Sequence, residues 1–253
     1  MRSTAATRPA PASTPVGAER LRIGAVTGMT TIDFPGELAA VVFCQGCPWR
    51  CRYCHNAALV AAGGPDPIPW AQVRDLLGRR RGLLDAVVFS GGEPTLQGAL
   101  AAAMAETKGL GYKVGLHTAG PYPGRLRQVI PYLDWVGLDI KALPEDYPAV
   151  TGIPGSGHAA WHSLKLLLDA GVPLEVRTTP MPGLDSAAYL ERLAQRLAEA
   201  GVRDYVLQGC RVERSLDPDL RTATPAGLPA QLQCRNPGLL RAEAPLQVRL
   251  RGA

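Results

Sequence analysis

The 253-residue chain has no apolar run long enough to cross a bilayer, so a membrane-spanning helix is excluded. Residues 1–19 are rich in Ala, Pro, Thr and Ser and lack the continuous apolar stretch of a secretory signal. A disordered leader over residues 1–20 is expected instead. Aromatic and basic residues do not interleave, and no nucleic-acid-binding module is recognisable, so no nucleic-acid partner is expected. The formal charge of +5 is a mild excess carried mostly by arginine. Its densest patch, Arg79-Arg80-Arg81, fits a solvated helix end favoured by the helix dipole, and the excess also suits an acidic protein partner. Nor are the six cysteines spaced as a disulfide framework. Four of them fall within residues 44–54, the pattern of a metal site in a reducing compartment, so a cytoplasmic location is expected.

Short apolar runs alternate with amphipathic stretches from residue 38 onward. Strands are predicted at 38–43, 85–90, 112–117, 135–141, 174–179 and 204–209, and helices at 70–84, 96–108, 124–132, 161–170 and 186–200. Such alternation predicts a parallel sheet with right-handed crossovers. Six units favour an α/β fold of the partial (β/α)6 TIM-like barrel type over a closed eight-unit barrel, with an open doubly wound sheet as the alternative. The barrel is assigned to residues 21–210, with 21–36 as an opening segment punctuated by Gly and Pro. Beyond it, prolines at 218, 225, 229, 237 and 245 break the pattern, and 211–253 is expected to be an irregular tail. In either architecture the C-terminal ends of the strands carry the site. The cysteine loop, Gly91-Gly92-Glu93, His117-Thr118, Asp139 with Lys141, and Arg177 all fall there.

The run Phe43-Cys44-Gln45-Gly46-Cys47-Pro48-Trp49-Arg50-Cys51-Arg52-Tyr53-Cys54-His55-Asn56 can be parsed in three ways. Cys44-x2-Cys47 and Cys51-x2-Cys54 are zinc-type pairs, but they lie closer together than the separation of about a dozen residues or more usual in structural zinc sites. Taken as four, the cysteines approach a ferredoxin run without its trailing proline. Cys47-x3-Cys51-x2-Cys54 can instead hold three irons of a [4Fe–4S] cluster and leave the fourth open to a ligand. On the cysteines alone, all three readings stay open.

Two motifs together resemble the radical S-adenosylmethionine (SAM) superfamily. They are Cys47-x3-Cys51-x2-Cys54, with Tyr53 before the last cysteine, and Gly91-Gly92-Glu93-Pro94 after the second predicted strand. The resemblance implies Cys47, Cys51 and Cys54 as ligands of a [4Fe–4S] cluster whose fourth iron chelates SAM. One-electron cleavage of SAM then yields a 5′-deoxyadenosyl radical that abstracts hydrogen from the substrate. It further implies cofactor-binding roles for Tyr53, near the adenine, and for the adjoining His55. Gly91 and Gly92 would present backbone for close ligand approach, and Glu93 would orient the turn or accept from the SAM ammonium. Asp139 and Lys141, two apart on a strand, share a face. Lys141 is placed to meet the SAM carboxylate and Asp139 a polar group of cofactor or substrate, a strand-end ion pair being the plainer alternative. Arg177 is a carboxylate or ribose contact with the same plain alternative. Cys44 is expected to be a small buried residue, and Cys210 and Cys234 lack a third ligand nearby.

Flanking words narrow the resemblance. Thr31-Ile32-Asp33-Phe34-Pro35-Gly36, Gln45-Gly46-Cys47, Cys54-His55-Asn56, Phe89-Ser90-Gly91-Gly92-Glu93-Pro94, Gly137-Leu138-Asp139-Ile140-Lys141 and Val176-Arg177-Thr178-Thr179 resemble glycyl-radical-enzyme activating proteins. The resemblance is strongest to the anaerobic ribonucleoside-triphosphate reductase activating proteins and spans about residues 21–208. It implies an activase that generates a glycyl radical on anaerobic ribonucleotide reductase, fed by a low-potential electron donor such as flavodoxin or ferredoxin. Activation of another glycyl radical enzyme, such as pyruvate formate-lyase, and radical chemistry on a small molecule are the alternatives. At the third strand His117-Thr118-Ala119-Gly120 stands where many activases have Asp-Thr-Asn-Gly, so His117 is either a replacement donor to the cofactor or a structural residue.

Overall fold

The computed structural model describes residues 16–64, 66–181, 185–222 and 246–252. One sheet of eight strands follows the order of the chain: β1 (Ile23–Thr30), β2 (Ala39–Cys44), β3 (Ala86–Gly91), β4 (Lys113–Thr118), β5 (Trp135–Asp139), β6 (Leu174–Thr178), β7 (Asp204–Gln208) and β8 (Gln247–Arg251). β1 is antiparallel to β2 and every later pairing is parallel. The connections carry α1 (Trp70–Arg79), α2 (Leu100–Gly109), α3 (Pro123–Val129), α4 (Tyr147–Thr151), α5 (Ser156–Asp169), α6 (Ala187–Glu199) and α7 (Pro218–Thr222). Among the described residues β1 and β8 do not pair, so the sheet is a partial barrel. No helix among the described residues is long and apolar enough to cross a membrane.

The six expected strands are β2 to β7, and the structure adds one at each edge. The opening segment forms β1, which Gly24 and Gly28 disguise; as an edge strand it needs no dense apolar run, and Thr27 and Met29 stay exposed. Part of the expected irregular tail forms β8, whose Gln-Val-Arg-Leu-Arg alternates with period two behind Pro245. The expected leader also ends earlier than residue 20. Ala18–Arg20 form a 3-10 turn, and Ala18 is buried against the core. Residues 1–15 and Cys234 lie outside the described residues. Helix α1 stops at Arg79, short of the expected 84, because Gly82 turns the chain at φ +77°. Helix α5 begins at Ser156, five residues before the expected start.

Both faces of β2 and β3 are covered, which is why their sequences read as unbroken apolar words. On the helix-covered face, Val42, Phe89, Leu116 and Leu138 pack with residues such as Trp70, Leu77, Met104 and Leu164. Full burial of each large side chain contributes about 1.5–3 kcal/mol. The inner face has a smaller apolar floor of Phe34, Ala39, Val41, Ala86, Val88 and Trp135. Phe34, from the Thr31-Ile32-Asp33-Phe34-Pro35-Gly36 run, lies against Trp135 at a ring distance of 5.3 Å. Toward the C-terminal ends of the strands the same face turns polar, at Ser90, His117, Asp139, Arg177 and Gln208. These are the strand ends on which the site is built.

Helix α5 begins hard against the loop after β5, where a Cβ on Gly157 would overlap the Pro144 carbonyl oxygen. Gly157→Ala should therefore destabilise the protein by about 1–3 kcal/mol, read as a lower urea midpoint at unchanged slope.

Candidate active site

A cleft of about 230 Å3 opens at the C-terminal ends of the strands, lined by residues that include Cys47, Cys51, Cys54, Tyr53, Gly91, Glu93, Asp139 and Lys141. Its first wall is the loop leaving β2. Cys44 is fully buried at the strand end and does not line the cleft. Gly46 turns the chain at φ +100°, and the Gly46 and Cys47 N–H groups donate to the carbonyls of Leu59 and Val60 at 2.8 and 3.0 Å. Further on, the Arg50 and Arg52 N–H groups donate to Thr151 and Val150 at the end of α4, both at 3.1 Å. The loop is thus pinned by backbone bonds on two sides while its thiols face the cleft. Burial pushes the Cys47 thiol up to about 12 and raises Cys51 as well.

The second wall is the turn after β3. Cys44 and Gly91 are register partners, and the two loops leave the sheet side by side. Gly91 has φ +112°, and a Cβ there would lie 2.5 Å from both the Cys44 nitrogen and oxygen. A Cβ on Gly92 would lie 2.7 Å from the Leu59 oxygen and overlap the Gly46 oxygen. Close ligand approach was the expected reason for this glycine pair. Packing against the cysteine loop already demands it, although both glycines also line the cleft. Glu93, 1% exposed, accepts four hydrogen bonds. Thr95 N–H, Thr95 Oγ1 and Thr118 Oγ1 donate to Oε1 at 2.9, 2.6 and 2.7 Å, and Ala119 N–H donates to Oε2 at 3.0 Å. Burial raises its pKa against these bonds, which favour the carboxylate. A carboxylate offers about four lone-pair directions, so Oε2 retains one for a cationic ligand.

Asp139 and Lys141 do share a face, and they pair, with Lys141 Nζ 3.1 Å from Asp139 Oδ2. The ion pair and a place in the cleft are therefore compatible. The Lys141 ammonium also sits 5.3 Å from the Tyr53 ring centre. Burial alone would lower its pKa, but Tyr53, Asp139 and Cys51 outweigh burial and hold it well above the ordinary lysine value. The Tyr53 hydroxyl is buried and has no hydrogen-bond partner among the described residues. His55 accepts at Nε2 from the Arg211 N–H at 3.3 Å, and burial lowers its pKa.

A family profile described as the radical SAM superfamily matches residues 41–197. The chain belongs to the radical SAM superfamily. It is 33% identical over 180 residues to the pyruvate formate-lyase-activating enzyme of Clostridium pasteurianum, which covers 68% of this chain and 74% of that relative. A putative glycyl-radical enzyme activating enzyme of Methanocaldococcus jannaschii is 25% identical over 219 residues, covering 79% and 84%. Two solved structures share the fold at 15% identity. SuiB of Streptococcus suis bound to S-adenosylmethionine superposes with a TM-score of 0.63 over 83% of this chain and 49% of its own, so this chain spans about half the length of SuiB. A domain of the pyruvate-formate lyase-activating enzyme of Bacteroides vulgatus superposes with a TM-score of 0.51, covering 66% and 99%.

The radical SAM chain takes the cofactors of its superfamily, a [4Fe–4S] cluster and SAM. The residues present fit both. Three soft thiol donors line one cleft, beside an orphaned Tyr53 hydroxyl and a buried ammonium. Among the described residues no three such donors converge as they would on a single ion. A cubane accepts its cysteines at separate corners, so it does not ask for that convergence.

His117 and Arg177 complete the inner side. The His117 Nε2–H donates to the Asp33 carbonyl at 2.9 Å, leaving Nδ1 to accept from Ser90 Oγ at 3.4 Å. Burial, then the nearby Arg177 guanidinium, lower its pKa to about 4. The imidazole is therefore neutral at pH 7, tied to the floor loop, and still on the cleft wall. Arg177 Nε donates to Glu175 Oε1 at 2.6 Å, and its guanidinium lies 5.2 Å from the Trp135 ring centre. Thr118 lines the cleft as expected, and Ser90, Asn56, Thr179 and Gln208, to which the sequence assigns no role, line it as well. Most sit at strand ends, which is the signal that would have found them. Glu175 was missed too, although a glutamate two before Arg177 in an apolar strand must share its face.

The His117 shift has a sign that can be measured. Its folded pKa lies below the unfolded value of about 6.5, so the stability it contributes is present above that pH and is lost as pH falls toward about 4. The thermal midpoint of the wild type should fall more steeply between about pH 6.5 and 4 than that of His117→Gln, a difference on the order of 2–3 kcal/mol at most.

Proposed function

We propose that this chain is a glycyl-radical-enzyme activase whose target is the anaerobic ribonucleoside-triphosphate reductase. The observation that carries the activase reading is the meeting of Cys47, Cys51 and Cys54 with the Gly91-Gly92-Glu93 turn in one cleft, in a chain related to enzymes named as activating enzymes. Cys47, Cys51 and Cys54 hold three irons of the cluster. Gly91 and Gly92 line the ligand side, and Glu93 offers its remaining lone pair to the SAM ammonium. Lys141 and Arg177 face the SAM carboxylate or ribose, Asp139 steadies Lys141, and Tyr53 and His55 border the adenine side, with His117 as a neutral neighbour.

With cluster and SAM bound, reductive cleavage of the sulfonium supplies a primary alkyl radical that abstracts hydrogen. A glycyl radical on the partner is stabilised by its flanking amide nitrogen and carbonyl, so the transfer is downhill. The protein has to position the reactants and exclude water, and needs no acid or base of its own. A low-potential donor such as flavodoxin or ferredoxin supplies the electron. The choice of reductase rests on the flanking words around the motifs, from Thr31-Ile32-Asp33-Phe34-Pro35-Gly36 to Val176-Arg177-Thr178-Thr179. Pyruvate formate-lyase is the second reading, favoured by the 33% identity to an enzyme named for activating it.

Two measurements test this. Anaerobically reconstituted chain, SAM and a reductant should produce a glycyl-radical EPR doublet on the reductase and none on the lyase; the reverse result would replace the first target by the second. Cys51→Ala should lose most of its iron and form 5′-deoxyadenosine at less than about one hundredth of the wild-type rate. Cleavage at the wild-type rate would refute the ligand assignment.

A further inference from the structure

Glu175 is fully buried on the inner face, one level below the cleft. Removing a carboxylate from water is costly unless cations replace the lost solvation. Three arginines do so. Arg177 Nε donates to Oε1 at 2.6 Å, while Arg249 and Arg251 Nη2 donate to Oε2 at 2.8 and 3.0 Å. Arg249 is also held by Asp204, with Nη2 2.7 Å from each carboxylate oxygen. Three cations thus share two carboxylates. The cation facing the cleft is Arg177, 8% exposed.

The Arg177 guanidinium lies over Gly137, where a Cβ would stand 2.7 Å from Cζ, and beside the Trp135 ring. That slot fixes its plane but not its rotation within the plane. The bond from Nε to Glu175 fixes the rotation and leaves the Nη groups free of the carboxylate. Glu175 itself does not line the cleft. It meets the two arginines of β8, a strand whose register with β7 sets Arg251 level with Gln208 on the cleft wall.

We infer that Glu175 is a positioning residue for the cofactor cleft, aiming Arg177 at the bound SAM and making that aim depend on the docking of β8 through Arg249 and Arg251. This rests on the reading of Arg177 as a SAM contact. The inference adds that the cleft's affinity is set partly by a carboxylate outside it and by a strand some seventy residues further along the chain.

The test is SAM affinity by equilibrium dialysis on anaerobically reconstituted protein, normalised to bound iron. Arg177→Ala should bind SAM at least about tenfold more weakly, Glu175→Gln similarly, and the double variant no more weakly than either. Iron content should stay at the wild-type level in all three. Arg249→Gln with Arg251→Gln, which spares the buried pair, should weaken SAM severalfold and serves if Glu175→Gln does not fold. If Arg177→Ala weakens SAM while Glu175→Gln does not, or if their effects multiply, the positioning role is refuted and the contact stands. Unchanged affinity in the β8 double variant refutes the coupling. Unchanged affinity in Arg177→Ala refutes the contact itself and the inference with it.

Discussion

The site depends on two backbones being allowed to touch. Strands β2 and β3 end level, with Cys44 opposite Gly91, and the loops that leave them have no space between them for a side chain. Because Gly91 and Gly92 have none, the Gly92 N–H reaches the Cys44 carbonyl at 2.9 Å and the Glu93 N–H reaches the Gly46 carbonyl at 2.9 Å. Those bonds place Glu93 where it also gathers Thr118 and Ala119 from the end of β4. One glycine pair therefore sets the relative positions of three consecutive strand ends. The thiol loop is held to this frame, so the separation between the thiols and the rest of the cleft follows from backbone geometry and not from side-chain packing alone.

Around that frame the inner face carries more buried charge than an apolar core tolerates, and each charge has a partner. Lys141 has Asp139, Arg177 has Glu175, and Glu93 has four donors. The same burial acts differently on groups without such partners. His117 is driven neutral, and the Cys47 and Cys51 thiols are driven toward their protonated forms. A thiol becomes a ligand only as the thiolate, so under the proposed function iron binding would displace the protons of these thiols. Lys141 eases this step, since its charge lowers both thiols against the effect of burial.

Much of this was legible in the residues. The apolar runs of β2 and β3 reveal strands because both faces are covered, and the motifs stand out because they sit where those runs stop. The shared face of Asp139 and Lys141 follows from strand periodicity alone. What escaped has physical causes. β1 and β8 are edge strands with polar or glycine positions, so neither has the apolar density that marks a buried strand. The packing of Gly91 and Gly92 against the β2 loop is a tertiary fact with no trace in the local sequence. Glu175 was overlooked because its meaning comes from arginines some seventy residues away, beyond a proline-rich stretch in which no period survives.

Under the proposed function the chemistry asks little of the protein in the way of proton transfer, and the cleft reflects that. Three of its titratable groups are held in one state: Lys141 stays charged, His117 stays neutral, and Glu93 is engaged by four donors. A general acid or base would need a group poised to change state near the working pH. Groups held in fixed states serve instead to orient a charged ligand without exchanging protons with it, and a reactive radical is protected by the same property. The rigidity of the Lys141–Asp139 and Arg177–Glu175 pairs is imposed by placing charges on the inner face of a sheet whose other side is the hydrophobic core.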